Sequence, residues 1–225
     1  MRAERLILVG GSALAFGAAF VNVGVVLKTG ISVSHLTGDI SKLSMGLSET
    51  HAALLPDALS VAAAALSFFL GAFLSGLWIH HPSLDFSRPY GRTITGIGML
   101  FILSSHLIPR FPVFGIALAA LSCGLQNSLA TRYRGIVLRT THLTGLITDF
   151  GITLGMSVRG FEIPAWKIMV PALLTAAFFL GGLCASVCFF LGSLDTILIA
   201  GLGYTMAGLC WTLGKHVLWP VLSKN

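Results

Sequence analysis

The stretch His35-Leu36-Thr37-Gly38 returns in the second half of the chain as His142-Leu143-Thr144-Gly145. Both copies follow a membrane-length apolar run, and each interrupts apolar sequence with hydrogen-bonding groups. Polar breaks inside a membrane are costly, so a duplicated one is the strongest pointer to both architecture and function.

The sequence around these motifs sets the solvent. The 225 residues are 55% hydrophobic and 10% charged, with a mean hydropathy of +0.89. Soluble domains carry about 25% charged residues. Eight hydrophobic segments can be drawn, at 6–28, 31–48, 55–79, 92–108, 112–131, 135–157, 166–191 and 195–215. Several reach the ~20 residues that cross a bilayer. Leu6 to Leu27 is too long for a signal-peptide core and is followed by further segments, so it reads as the first span. The net charge of +6 does not point to nucleic acid, because the bases sit near segment ends. Cys123, Cys184, Cys188 and Cys210 all lie within apolar segments and read as small packing residues; no metal site is expected.

The second and sixth segments differ from the rest. Residues 31–48 carry Ser32, Ser34, His35, Thr37, Asp39, Ser41, Lys42 and Ser44, while 135–157 carry Arg139, Thr140, Thr141, His142, Thr144, Thr148 and Asp149. Neither could face lipid along its whole length. The repetition extends outward: Asn22 and Asn127 precede their motifs at similar distances, and Phe68-Phe69-Leu70-Gly71 matches Phe178-Phe179-Leu180-Gly181. Two repeats follow, 1–108 and 109–225, within one membrane domain.

Basic residues discriminate between topologies. If all eight segments cross, Lys and Arg divide evenly between the two sides. If the second and sixth dip in and return, six segments cross. The inner side then holds Arg2, Arg5, Arg88, Arg92, Arg132, Arg134, Arg139, Arg159, Lys167, Lys215 and Lys224, against Lys28, Lys42 and Arg110 outside. The expectation is an all-α polytopic membrane protein of two inverted repeats, each with three spanning helices plus one broken or re-entrant polar helix. The alternative is two parallel four-helix units in which the Thr-Gly pairs merely pack helices closely. The N-terminus is expected on the inner, cytoplasmic side.

A broken helix offers free N–H groups to an anion or a carbonyl oxygen. Thr37 and Thr144 are expected as helix caps, with Gly38 and Gly145 admitting close backbone approach. His35 and His142 are candidates to bind substrate or carry a proton, against the plainer role of buried, satisfied imidazoles. Asp39 and Asp149 are the proton-coupling candidates, with Lys42 or Arg139 as charge partners. Asn22, Ser34, Gln126, Asn127 and Thr141 complete the expected substrate-binding set, although amides at such positions also serve to tie helices together. There is no G-x-S-x-G, H-E-x-x-H or phosphate-binding loop, so neither catalysis nor a cofactor is expected.

Three stretches resemble the YoaK family of bacterial membrane proteins: Val33-Ser34-His35-Leu36-Thr37-Gly38-Asp39, Gly124-Leu125-Gln126-Asn127-Ser128, and Arg139-Thr140-Thr141-His142-Leu143-Thr144-Gly145-Leu146-Ile147-Thr148-Asp149-Phe150-Gly151. Many members have Asn after the first Thr-Gly, where this chain has Asp39. The resemblance implies a helical inner-membrane protein, commonly taken to move small molecules. The expected partners are the lipid bilayer and a small-molecule substrate. A homo-oligomer is compatible with the small-residue face at Gly71 and Ser75. A non-transporting scaffold or assembly factor is the alternative, and an intramembrane enzyme a more distant one.

Overall fold

The computed structural model describes residues 2–48, 55–78, 90–129, 132–133, 136–137 and 140–222. Among them are eight helices: α1 (Arg2–Thr29), α2 (Leu36–Ser48), α3 (Leu55–Trp78), α4 (Tyr90–Leu107), α5 (Pro112–Ser128), α6 (Leu143–Val158), α7 (Ala165–Gly192) and α8 (Thr196–Leu222). A two-residue antiparallel pair, β1 (Arg132–Tyr133) and β2 (Ile136–Val137), lies between α5 and α6. In the segment drawn at 135–157, where a broken or re-entrant polar helix is expected, α6 starts only at Leu143.

Among the described residues, four helices are long and apolar enough to cross a membrane: Leu8–Thr29, Asp57–Trp78, Ala165–Gly192 and Thr196–Lys215. α4 and α5 are shorter, at 18 and 17 residues. Small and polar residues such as Gly91, Thr95, Gly98, Ser104 and Ser105 lower the hydropathy of α4. Its partners are other helices: Ile97 and Phe101 are buried, and the Ser104 hydroxyl donates to the Gly115 carbonyl of α5 at 2.7 Å. By contrast, α3 and α7 display Phe69, Leu70, Phe73, Phe179, Leu183 and Phe190 outward. In water such faces would aggregate; in a bilayer they meet their own kind.

Local chemistry sets the ends. α1 stops where Gly30 adopts φ +75°, a left-handed conformation that a Cβ would strain. Pro112 opens α5, where its missing N–H has no intrahelical partner to lose. Asp195 opens α8, its Oδ1 accepting from the Ile197 and Leu198 amides at 3.1 Å each. Its Oδ2 pairs with Lys28 of α1 at 2.7 Å.

The packing repeats under exchange of halves. α1 lies on α7 and α3 on α5; α2 lies on α3 and α6 on α7; α4 meets α5 and α8 meets α1; α4 and α8 cross one another. Swapping the first four helices for the last four returns the same set, apart from a weak α7–α8 contact without an α3–α4 counterpart of equal strength. Individual contacts also recur. A Cβ at Gly71 would strike the Leu121 carbonyl of α5, and one at Gly181 would strike the Phe16 carbonyl of α1. Phe-Phe-Leu-Gly at 68–71 and at 178–181 thus ends at a residue where one half touches the backbone of the other, whereas the third occurrence, at 189–192, ends against Leu194. On α4 and α8, Gly91, Thr95 and Gly98 match Gly201, Thr205 and Gly208, each 110 positions on (201 minus 91, 205 minus 95, 208 minus 98). Gly98 abuts Thr205 and the Gly201 carbonyl, while Gly208 abuts Thr95 and the Gly91 carbonyl. Residue numbers rise along α4 as they fall along α8, so the two run antiparallel. α8 also runs against α1, with Gly17 beside Tyr204 and Gly24 beside Thr196. α7 runs with α1, since Gly181 meets Phe16 and the loop beyond α7 meets Lys28.

Candidate functional site

The first Thr-Gly motif is positioned by the chain reversal after α1. Beyond Gly30, residues 31–35 turn back alongside the last turns of the helix, and there Asn22 receives them. Its Oδ1 accepts from the Val33 amide at 3.0 Å, the Ser34 amide at 3.1 Å and the Ser32 hydroxyl at 2.9 Å. Asn22 lies seven residues before Thr29 (29 minus 22), about 10 Å along the helix. The break is therefore drawn back along α1 by that distance. Ser32 Oγ in turn accepts from the His35 amide at 2.9 Å, and Asp39 Oδ2 accepts from the Ser32 amide at 3.0 Å.

These bonds correct one expectation. Thr37 is not the cap of α2, because the helix begins at Leu36 and the threonine falls within its first turn. Thr144 stands likewise inside α6, whose N-cap is His142, with no side-chain cap bond. The amides just before α2 are bonded instead by Asn22, Ser32 and Asp39. Thr37 and Thr144 are both exposed.

The second motif repeats part of this arrangement. Asn127 Oδ1 accepts from the Thr141 amide, at a long 3.4 Å. Ser41 donates to the Thr37 carbonyl and Thr148 to the Thr144 carbonyl, both at 2.9 Å. The halves then diverge. Asp39 is buried and pairs with Lys42 at 3.5 Å, whereas Leu146, the matching residue, is buried against Ala15, Val170 and Leu174. Asp149 is exposed on α6. Arg139, its other candidate partner, lies outside the described residues.

The two histidines also differ. His35 meets the Phe178 ring edge-on, with centroids 5.2 Å apart, which seats the first motif on α7 of the other half. His142 is exposed, and its imidazole folds over Gly145, where a Cβ would strike Nδ1. Gly38 has open space at the same position.

Among the amides, Gln126 is engaged at both ends: Nε2 donates to the Leu14 carbonyl and Oε1 accepts from the Tyr204 hydroxyl, both at 2.8 Å. It ties α5 to α1 and α8. Asn22 has only its NH2 left to offer a ligand. Ser34 has the reverse character: its hydroxyl is buried and has no partner. Thr140, next to Thr141, also carries a buried, unpartnered hydroxyl. Such groups cost stability unless something fills them.

Sequence reading passed over Ser32, Tyr204 and the Lys28–Asp195 pair. Ser32 was visible as one more hydroxyl in a polar segment. Tyr204 stood out only as a hydroxyl within an apolar span. Lys28 and Asp195 are too far apart in sequence for any local pattern to join them.

No curated protein and no solved structure matches this chain. A family profile described as protein of unknown function (DUF1275) matches residues 10–210, nearly the whole length. The chain therefore belongs to the YoaK family, which is known under that domain of unknown function.

Proposed function

We propose that this protein is a secondary transporter of a small molecule in a bacterial inner membrane, with its N-terminus in the cytoplasm and no enzymatic activity. One observation carries the reading: the duplicated break, in which Asn22 holds the Val33 and Ser34 amides and Asn127 holds the Thr141 amide. It leaves two helix N-termini, those of α2 and α6, beside the faces where the halves meet. Half-helix ends of this kind bind substrate groups in transporters built from inverted repeats.

Helix directions support the inverted arrangement. α1 and α8 run oppositely, α4 runs against α8, and α7 runs with α1. A two-fold axis that exchanges antiparallel helices must lie across them, in the membrane plane. Six helices then cross, and the segments holding α2 and α6 each return to the side they left. The repeats divide the chain at 108/109. Thr37, Gly38, Ser34 and His35 line one half-site, and Thr141, Thr144, Gly145 and His142 the other. The NH2 groups of Asn22 and Asn127 complete it. Gln126 frames the site by holding α1, α5 and α8 together. Asp39 and Asp149 are the coupling carboxylates: Asp39 is buried beside Lys42, and Asp149 is exposed on α6.

The test has two stages. Single cysteines at Thr29 and Asp57, in a background lacking the native thiols, are labelled from each side of intact cells. Labelling of both from one side is expected; labelling from opposite sides removes the re-entrant segment. Purified protein is then screened for thermal stabilisation by pools of amino acids, organic acids and sugars. A ligand at a hundred times its Kd adds about 2.7 kcal/mol. The Thr37→Val, Thr144→Val double variant should fold and lose that gain; an undiminished gain places the ligand elsewhere.

A further inference from the structure

The seam between α3 and α5 opens outward as an apolar groove of about 400 Å³, lined by Ser67 of α3, Leu107, Phe111, Phe114, Leu118 and Leu121. Phe111 and Phe114 are more than half exposed, at 56% and 68%, so the groove is open rather than filled by the chain itself. It starts at the turn between α4 and α5 and follows α5 from Phe111 to Leu121. Ten residues of helix (121 minus 111) cover about 15 Å. That is half of a hydrocarbon core about 30 Å thick, the depth of one leaflet.

A cation stands one residue from the groove's end. Arg110 is exposed in the turn, next to Phe111, and no carboxylate pairs with it among the described residues. The uncapped start of α5 at the same place adds the positive end of a helix dipole. A charge at the membrane surface above an apolar channel one leaflet deep has the amphipathic layout of a phospholipid.

We propose that this groove is a binding site for an anionic phospholipid, with one acyl chain along α5 and the phosphate at Arg110. An apolar lining gives the chain no reason to prefer water, and Ser67 is the groove's single polar side chain. The guanidinium supplies the preference for a net negative headgroup. The groove follows the α3–α5 contact between the two halves, and a chain seated there would brace it.

The proposal is tested on the purified full chain by native mass spectrometry and thermal stability, with phosphatidylglycerol, phosphatidylcholine and inorganic phosphate as probes. Wild type should retain phosphatidylglycerol over phosphatidylcholine by about fivefold, the worth of one cation at an anionic surface. Arg110→Gln should erase that preference while still retaining both lipids. Ala117 also lines the groove, and Ala117→Trp, which places an indole there, should lose both while eluting as a single species. Three results would overturn the site: an unchanged preference in Arg110→Gln, full retention in a monodisperse Ala117→Trp, or equal stabilisation by inorganic phosphate alone. Arg110 is on the surface, so its substitution keeps the test decisive even if the tryptophan variant misfolds.

Discussion

Replacing Asn22 with Leu removes one oxygen and leaves three donors without their acceptor. Two are the Val33 and Ser34 amides, at 3.0 and 3.1 Å in the native fold, and the third is the Ser32 hydroxyl. Val33 is 0% and Ser34 7% exposed, so water does not readily replace the lost partner. An unsatisfied buried group costs about 1–3 kcal/mol. Ser32 is only half-buried and can turn to another acceptor, so the two amides set the loss at roughly 2–6 kcal/mol. Against a total stability of about 5–15 kcal/mol this is a large change. Asn127 provides the internal control: it accepts one amide at 3.4 Å, and Asn127→Leu should cost about 1 kcal/mol or less. Asn22→Asp, which keeps the acceptor oxygen, should fall between wild type and Asn22→Leu. Unfolding in dodecyl maltoside by increasing sodium dodecyl sulfate, followed by tryptophan fluorescence, reads all four proteins. Equal losses for the two leucine variants, or a loss below about 1 kcal/mol at Asn22, would refute the idea that Asn22 holds the break in place.

Other substitutions probe the seams in the same assay. Gly181→Leu should cost about 3 kcal/mol or abolish folding, because its side chain meets the Phe16 carbonyl, while Gly76→Leu, at an open position, should change little. Tyr204→Phe removes the donor to the buried Gln126 Oε1 and should cost about 1–3 kcal/mol. Asp195→Asn keeps an acceptor for the start of α8 but loses the charge opposite Lys28. With both side chains partly exposed, at 33% and 20%, the cost should be below about 1 kcal/mol and should shrink further in high salt.

The separate elements were largely legible in the sequence. Apolar runs marked the helices, and His-Leu-Thr-Gly located both breaks to within a residue. The caps were misplaced because a threonine before glycine satisfies the local capping pattern, whereas the acceptor used at the first break stands ten to twelve residues upstream on α1. Polar clustering made the sixth segment look like one broken helix, yet its first part holds the short strand β2 and a turn. Asp39 and Leu146 show the limit most plainly. They occupy matching positions, but only the packed structure sets a carboxylate on Ser32 in one half and a leucine on α1 and α7 in the other.

By itself, the sequence determined the solvent, the duplicated His-Leu-Thr-Gly motif and the location of the polar interruptions. Those properties are sums or repeats along the chain: hydropathy adds residue by residue, and a copied motif is recognisable without its neighbours. Tertiary structure decided which donor meets which acceptor, which glycine admits a foreign carbonyl, and in which direction each helix lies against the next. Hydrogen bonds and van der Waals contacts act over a few ångströms, between residues that can stand more than a hundred positions apart. Nothing in the local sequence at Gln126 names Leu14 and Tyr204, or at Gly181 names Phe16; close packing of eight helices brings them into reach.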